Sequence, residues 1–393
     1  MISFNSIVVI IILIASIIFI YFFYRDTRFI PIKKKTIKIT ENENVTHLYG
    51  FSSSYGVAVD KKDSIFIPDF NEGLIYKVDK YYENCSILKN YKNSLKEISF
   101  FEKLLLSTSL IKIFKISTSF RKPHDIYFDK DEKMYITQLG RGHRDGGGKV
   151  FMISKKNKLI KKIGKKDLVD PVMTYVDNNK HLYISESGSN NILKYYKNTF
   201  SNFMQIKKKK KINKSKNKTK KFIYDNLNGP HAFKIGPDGK YYIADTHNHR
   251  IVKYSKTRKF MGWIGKAKTG NINDNWSKRD QSIKGHELGA FNTPIDIFFK
   301  NKFMYVSDCY NNRIVKISMS GKSKSWLGKS TIQKENKIFW KNKGNSIPSK
   351  DAFGMHHPFG MKFFKDKLYI ADKQNFRIKI IKSKNLFWNI LNF

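Results

Sequence analysis

His124, His231 and His357 are the residues of this 393-residue chain whose type and spacing best suit metal chemistry. His124 and His231 each directly follow a proline, in PHDIYF and PHAFKI. At the corresponding place in PFGMKFF stands Phe359, and His357 lies two residues before it. Alternate residues of an extended strand share a face, so His357 is expected to occupy the place that Phe359 leaves without a donor. Three imidazoles and a water form a known zinc arrangement with one open coordination position. Zinc held there would polarise a substrate oxygen or lower the pKa of bound water, which is the chemistry of a metal-dependent lyase or hydrolase. The competing reading is structural: a Pro-His pair at a repeated strand start, its imidazole bonded to neighbouring strands.

Residues so far apart in sequence meet only if the chain is organised to return them to one place, and a repeat does this. SYGVAVDKKDSIFIPD from Ser54 is followed by PHDIYFDKDEKMYITQ from Pro123, PVMTYVDNNKHLYISE from Pro171 and PHAFKIGPDGKYYIAD from Pro230. PIDIFFKNKFMYVSD from Pro294 and PFGMKFFKDKLYIAD from Pro358 complete six copies. Each copy is two short apolar runs around a polar turn, then a third run such as RIVKYS; copies four and five add a fourth, KFMGWIG and KSWLG. Such segments read as antiparallel meanders. Six of them arranged radially make an all-β, six-bladed β-propeller that protects its edges by closing on itself. Apolar residues on both strand faces suit blades stacked face to face. His124, His231 and His357 belong to copies two, four and six, which near three-fold symmetry brings to one axis. The spacing Asp-x-x-Asn-x-Arg recurs at Asp245, Asp308 and Asp372, and reads as turn construction: Asp accepts turn N–H groups, Asn tolerates left-handed backbone and Arg bridges the carboxylate.

The pattern of a proline-led strand followed by [YI]-A-D-x-x-N-x-R-I resembles the NHL-repeat family, and GPHAFKIGPDGKYYIADTHNHRIVKYS is similar to its consensus. The resemblance runs from about Val45 to the C-terminus. More distantly, the paired Pro-His positions resemble peptidyl-α-hydroxyglycine α-amidating lyase, a six-bladed propeller with a His-ligated zinc. That resemblance implies His124 and His231 as metal ligands and cleavage of an α-hydroxyglycine N–C bond. The sequence departs from it at Phe359, the third ligand position, and at Gly188 and Thr246, where that family carries a catalytic tyrosine and arginine. No arginine matches near Phe70, and Tyr310 lies in a different blade from the family's tyrosine.

Residues 1–24 carry no charged side chain and are long enough to cross a bilayer as a helix, so a transmembrane anchor is expected there, with 25–44 as a juxtamembrane linker and 45–393 as the propeller. A cleaved signal would show a basic start and a small-residue cleavage site, neither of which is present. Arg25, Arg28 and Lys33 to Lys35 argue for a cytoplasmic flank. Export of propellers that resemble this one argues for the extracytoplasmic side, the side this reading leans to. Long insertions are expected near 81–119 and 204–222; the second contains the run IKKKKKINKSKNKTKK, read as a solvated loop. The Gly-rich stretch 140–149 lacks the phosphate-loop pattern and reads as an enlarged hairpin. Lys and Arg total 75 against 32 Asp and Glu, a formal charge of +43. The excess is spread along the chain rather than clustered, and the basic run has no interleaved aromatics, so nucleic acid is disfavoured as a partner. Three functions follow: a membrane-tethered platform binding a protein, peptide or glycan at its mouth face; a zinc-dependent lyase or hydrolase; and RNA binding through the basic surface.

Overall fold

The computed structural model describes residues 28–31, 38–42, 45–82, 85–89, 120–140, 147–164, 168–204, 226–278, 280–331 and 339–382. Six antiparallel sheets of four to six strands follow one another along the chain, and a seventh of two strands pairs Lys329–Ser330 with Ser346–Ile347. The innermost strands of the six are Ala58–Val59, Pro123–Phe128, Pro171–Val176, Pro230–Ile235, Pro294–Lys300 and Pro358–Phe364. Each packs against the next, and the last packs against the first, so the sheets form a closed ring. This is the six-bladed propeller expected from the repeat.

The second strand of each blade is sandwiched between its own neighbours and the adjoining blades. Ile65–Asp69, Met134–Gln138 and Leu182–Glu186 are buried at every position, as the apolar character of both faces requires. Turns at the far end from the mouth repeat one device. Asp129 Oδ1 accepts the N–H groups of Asp131 and Lys133, and its Oδ2 accepts the Tyr135 hydroxyl at 3.1 Å. Asp177 does the same with Asn179, His181 and Tyr183. A short acidic side chain thereby satisfies turn donors that the strands leave unpaired.

The fourth segments of copies four and five are strands, Phe260–Ala267 and Ser323–Leu327, with Trp263 and Trp326 fully buried. Blades two and three also have fourth strands, Leu159–Ile163 and Thr199–Asn202. The fourth strand of blade one, Cys85–Lys89, lies inside the segment 81–119 that sequence reading makes an insertion. Blade six is completed from the other end of the chain. Val45–Tyr49 pairs with Arg377–Lys382, Val45 opposite Ile381 and Tyr49 opposite Arg377. Lys38–Asn42 then pairs outside it, and Arg28–Pro31 pairs outside Cys85–Lys89. Two stretches of the expected linker 25–44 are therefore strands. The ring is closed by hydrogen bonds between chain regions more than three hundred residues apart, which removes the open edges that a linear array would expose.

The expected anchor 1–24 lies outside the described residues, as do 90–119 and 205–225, which hold most of both expected insertions. Among the described residues no helix is long and apolar enough to cross a membrane.

Closure by a terminal strand makes a stability prediction. Leu48 is fully buried in the closing strand, whereas Ile39 in the strand outside it is exposed. Leu48→Ala is expected to lower the unfolding free energy by about 2–5 kcal/mol. Ile39→Ala is expected to change it by about 0.5 kcal/mol or less. Urea denaturation followed by circular dichroism checks both; equal effects would contradict this account of closure.

Candidate functional site

The mouth face is set by one buried side chain per blade at the end of the second strand: Asp69, Gln138, Glu186, Asp245, Asp308 and Asp372. Each accepts the backbone N–H of the segment entering the innermost strand. Ser52, Arg121, Asn228, Asn292 and His356 donate at 2.7–2.9 Å, and Asp170 donates to Glu186. In blades four to six an arginine and an asparagine hold the same acid from the other side. Arg250, Arg313 and Arg377 Nε lie 2.7, 2.9 and 2.7 Å from the Oδ2 atoms of Asp245, Asp308 and Asp372. Their remaining donors reach carbonyls of the entering segment, as from Arg313 to His286, Glu287 and Ala290. The recurrent Asp, Asn and Arg thus build the blade, as their spacing suggested. Burial pushes the Asp245 and Asp308 carboxyls upward, and the adjacent guanidinium opposes it.

A second set of contacts passes from blade to blade. The side chain at the left-handed position of the turn accepts an N–H from the residue before the next blade's proline: Asn190 from Gly229 at 2.7 Å, His249 from Thr293 at 3.1 Å, and Asn312 from His357 at 3.0 Å. His249 is therefore structural. His247 packs its ring against Gly229, where a Cβ would fall 2.3 Å from the imidazole Nδ1; at φ 56° glycine is the residue that fits.

These devices aim the first residue after each proline at the axis. The rings of His124, His231 and Phe359, from blades two, four and six, form a near-equilateral triangle with centroids 5.5–5.9 Å apart. Tyr55, at the same position in blade one, lies 4.9 Å from His124 and 4.7 Å from Phe359. It also touches Phe70 at 4.7 Å, and the Lys373 ammonium sits 4.1 Å from its ring. Lys122 lies over Phe70 at 5.6 Å. The result is a floor of aromatic and imidazole faces with cationic side chains at its edge.

His124 and His231 are brought together as the repeat implied. His357 goes elsewhere: its ring contacts are Tyr310 at 4.5 Å and His356 at 4.7 Å. The physical reason is backbone conformation. His357 has φ 54°, as do Lys122, Gly229 and Thr293 in kind at the same pre-proline position, so it stands in a left-handed turn ahead of the strand. Alternation of faces along an extended strand does not apply to it. Phe359 holds the third corner. Among the described residues no three His, Cys, Asp or Glu side chains converge to hold a metal ion. A zinc centre of His124, His231 and His357 does not fit this arrangement, although the two axial imidazoles suit ligation. His124 Nδ1 faces the Val172 carbonyl at 2.8 Å and His231 Nδ1 faces that of Gly229 at 3.1 Å. Both contacts assign the proton to Nδ1 and leave Nε2 as the basic atom.

Burial pulls His124 down to about 3, with the neighbouring His231 adding to it, and burial pulls His231 down to about 4. Both are neutral at pH 7 and serve as hydrogen-bonding, not charged, groups. His143 and most of the Gly-rich stretch 140–149 lie outside the described residues. Sequence reasoning missed Tyr55, Phe70 and Lys373. Their signal was positional: Tyr55 aligns with His124, and Phe70 and Lys373 follow the buried acid of their blades.

Two predictions come from this geometry. Arg313→Met leaves Asp308 buried without its cation and is expected to destabilise the chain by about 3–5 kcal/mol in denaturant unfolding. In NMR titration the His124 and His231 ring signals are expected to stay in the neutral form from pH 7 to pH 5. Because their folded pKa values lie below the unfolded one, their contribution to stability falls as pH drops from about 6.5 toward 3.

Residues 227–254, the first three strands of blade four and the turn leading into them, match the NHL repeat family. No curated protein matched the chain. Among solved structures, an auxiliary nutrient binding protein from Bacteroides ovatus ATCC 8483 aligns with TM-score 0.54 and 13% identity, covering 91% of this chain and 75% of that one. One from Bacteroides thetaiotaomicron VPI-5482 aligns with TM-score 0.53 and 13% identity, covering 84% and 69%. Virginiamycin B lyase from Staphylococcus aureus aligns with TM-score 0.48 and 13% identity, covering 88% and 99%. At these identities the likeness speaks of the fold alone.

Proposed function

We propose that this chain is an NHL-repeat propeller that binds a protein, peptide or glycan at its mouth face and is tethered to a membrane by residues 1–24, with the propeller on the extracytoplasmic side. The observation that carries the binding role is the axial floor of Tyr55, His124, His231 and Phe359, edged by Lys122 and Lys373. Aromatic faces supply large contact area at small entropic cost, and neutral imidazoles supply hydrogen bonds without charge desolvation. Tyr310, 53% exposed beside His357, extends the aromatic surface outward from the axis. The nutrient-binding Bacteroides propellers share this architecture, which supports a binding platform; the ligand is set by this chain's own mouth residues.

The alternative, a zinc-dependent lyase or hydrolase, draws on the common tautomer of His124 and His231 and needs a third donor where Phe359 stands. RNA binding has the diffuse positive charge behind it and no aromatic-interleaved basic strip.

The detergent-solubilised full chain, screened against glycan and peptide arrays, is expected to give ligands whose affinity falls about tenfold or more in Tyr55→Ala and in Lys373→Met. Ile160→Ala, on an exposed outer strand, is expected to leave it unchanged. Ligands indifferent to both mouth variants would refute the platform reading. Stoichiometric zinc that disappears in His124→Ala would replace it with the metal-dependent one.

A further inference from the structure

Arg28–Pro31 is the described strand next to the expected anchor, and its direction fixes which end of the ring adjoins a bilayer. In blade one Asp69 ends the second strand at the mouth, and its partner Leu74 begins the third. The third strand runs to the far end, where Val78 pairs with Cys85. Cys85–Lys89 then returns, so Lys89 lies on the mouth side. Arg28–Pro31 pairs antiparallel outside it, Arg28 opposite Lys89 and Pro31 opposite Ser86. The chain therefore reaches blade one at the mouth and runs away from it. Four peptide steps separate Arg28 from Tyr24, the last residue of the anchor, and whatever their conformation they span at most about 14 Å. A five-residue strand is itself about 17 Å long. A bilayer crossed by residues 1–24 thus lies beside the mouth rim, and the connection is too short to bring the far end to it.

Exposure of apolar side chains alone does not choose an end. Tyr81, Ile160 and Tyr196 are exposed at the far end, and Tyr310, Ile347 and Phe376 at the mouth. The two trios differ in setting. Lys80 lies 4.5 Å from the Tyr81 ring, Lys197 lies 5.5 Å from that of Tyr196, and His181 meets Tyr196 at 4.7 Å. Carboxylates are interspersed there, Asp60, Asp129, Asp131 and Asp177 among them. At the mouth the acids that end the second strands are buried, and Glu72, Glu287 and Asp351 are engaged by Tyr76, Lys266 and Lys329. Lys122, Lys284 and Lys350 are exposed around them. Tyr310 and Phe376 stand at the mouth turns of blades five and six. Ile347 lies on the two-stranded sheet, whose Ser346 hydroxyl donates to the Asn311 carbonyl of the blade-five turn. Aromatic side chains beside lysines suit a headgroup layer, where the ring is half in apolar surroundings and the ammonium meets phosphate.

We propose that the mouth face lies against the bilayer that residues 1–24 cross, with Tyr310, Ile347 and Phe376 seated in its headgroup layer. The inference rests on the tethering stated under the proposed function and adds the direction in which the tether holds the ring. A mouth so placed meets ligands borne on the bilayer surface and is closed to bulky partners from free solution.

The experiment uses the full chain in vesicles of phosphatidylcholine and phosphatidylglycerol that also contain a nickel-chelating lipid. Single nitroxide labels are placed at Phe376→Cys, Ile347→Cys, Tyr196→Cys or Ile160→Cys in a Cys85→Ser background; Cys309 is buried and stays unlabelled. Collisional relaxation by the headgroup nickel is expected to be at least about fivefold greater at the two mouth sites, because a strand length of about 17 Å keeps the far sites out of contact range. The reverse ranking overturns the proposal, and so does equal relaxation at both ends. Thermal melts establish that each variant is folded, and two sites at each end keep the comparison if one variant does not fold. An alkaline carbonate wash separates this inference from its premise. A chain released by the wash is not anchored, which refutes tether and orientation together. A chain retained in the vesicles with its far-end labels nearest the nickel refutes the orientation alone.

Discussion

One contact holds the architecture in register: a side-chain oxygen buried at the end of each second strand takes the backbone N–H of the segment entering that blade's first strand. It is made in all six blades, by five carboxylates and by Gln138. The entering segment crosses a blade end where no strand partner is available for its donors, and a buried unpaired N–H would cost about 1–3 kcal/mol. The acid satisfies it and fixes where the next strand begins. A carboxylate so deep in protein is itself expensive, and blades four to six offset that expense with a guanidinium and an amide on the other oxygen. Blades one to three have no such arginine and use an acid or amide with backbone and hydroxyl donors alone.

The mouth is a consequence of this anchoring. Because the buried acid or amide holds the segment entering every blade, the residue after the proline, or after Ser54 in blade one, takes an equivalent place whatever its type. Tyr55, His124, Val172, His231, Ile295 and Phe359 occupy equivalent places, and their chemistry varies freely on a fixed frame. The inter-blade relay through Asn190, His249 and Asn312 ends at blade six, where Phe376 holds the left-handed position with φ 53° and is 52% exposed. A bulky aromatic in that conformation has no acceptor to offer blade one, and closure there rests on the Gly360 N–H to the Tyr55 carbonyl at 2.9 Å and on the terminal strand.

Charge is distributed by the same geometry. Among the described residues most lysines are exposed or half-buried, where solvent screens their charge. The few lysines turned inward are each answered by carbonyls, rings or carboxylates: Lys379 by the Gly354 carbonyl at 2.7 Å, Lys341 by that of Gly328 at 2.7 Å, and Lys234 by Asp296. Burial pulls Lys379 down to about 7, with Arg377 beside it adding to the effect.

The sequence by itself determined the number of blades, the order of their first three strands and the constructive role of the Asp-x-x-Asn-x-Arg turns. Each depends on local chemistry repeated at a recognisable spacing: apolar runs, polar turns, a carboxylate beside the donors it accepts. It also placed His124 and His231 on one axis, since equivalent positions of a closed ring must converge. Only the tertiary structure decided what that axis contains. His357 lies two residues from an axial position yet turns away, because one left-handed φ breaks the alternation on which counting relies. Tyr55 and Lys373 join the floor through contacts between blades one and six, which are neighbours in space and at opposite ends of the chain. The strand that closes the ring comes from Val45–Tyr49 for the same reason. Lys234 and Asp296 read as ordinary strand polar residues until neighbouring blades bring them 3.4 Å apart, and no spacing along the chain records that distance.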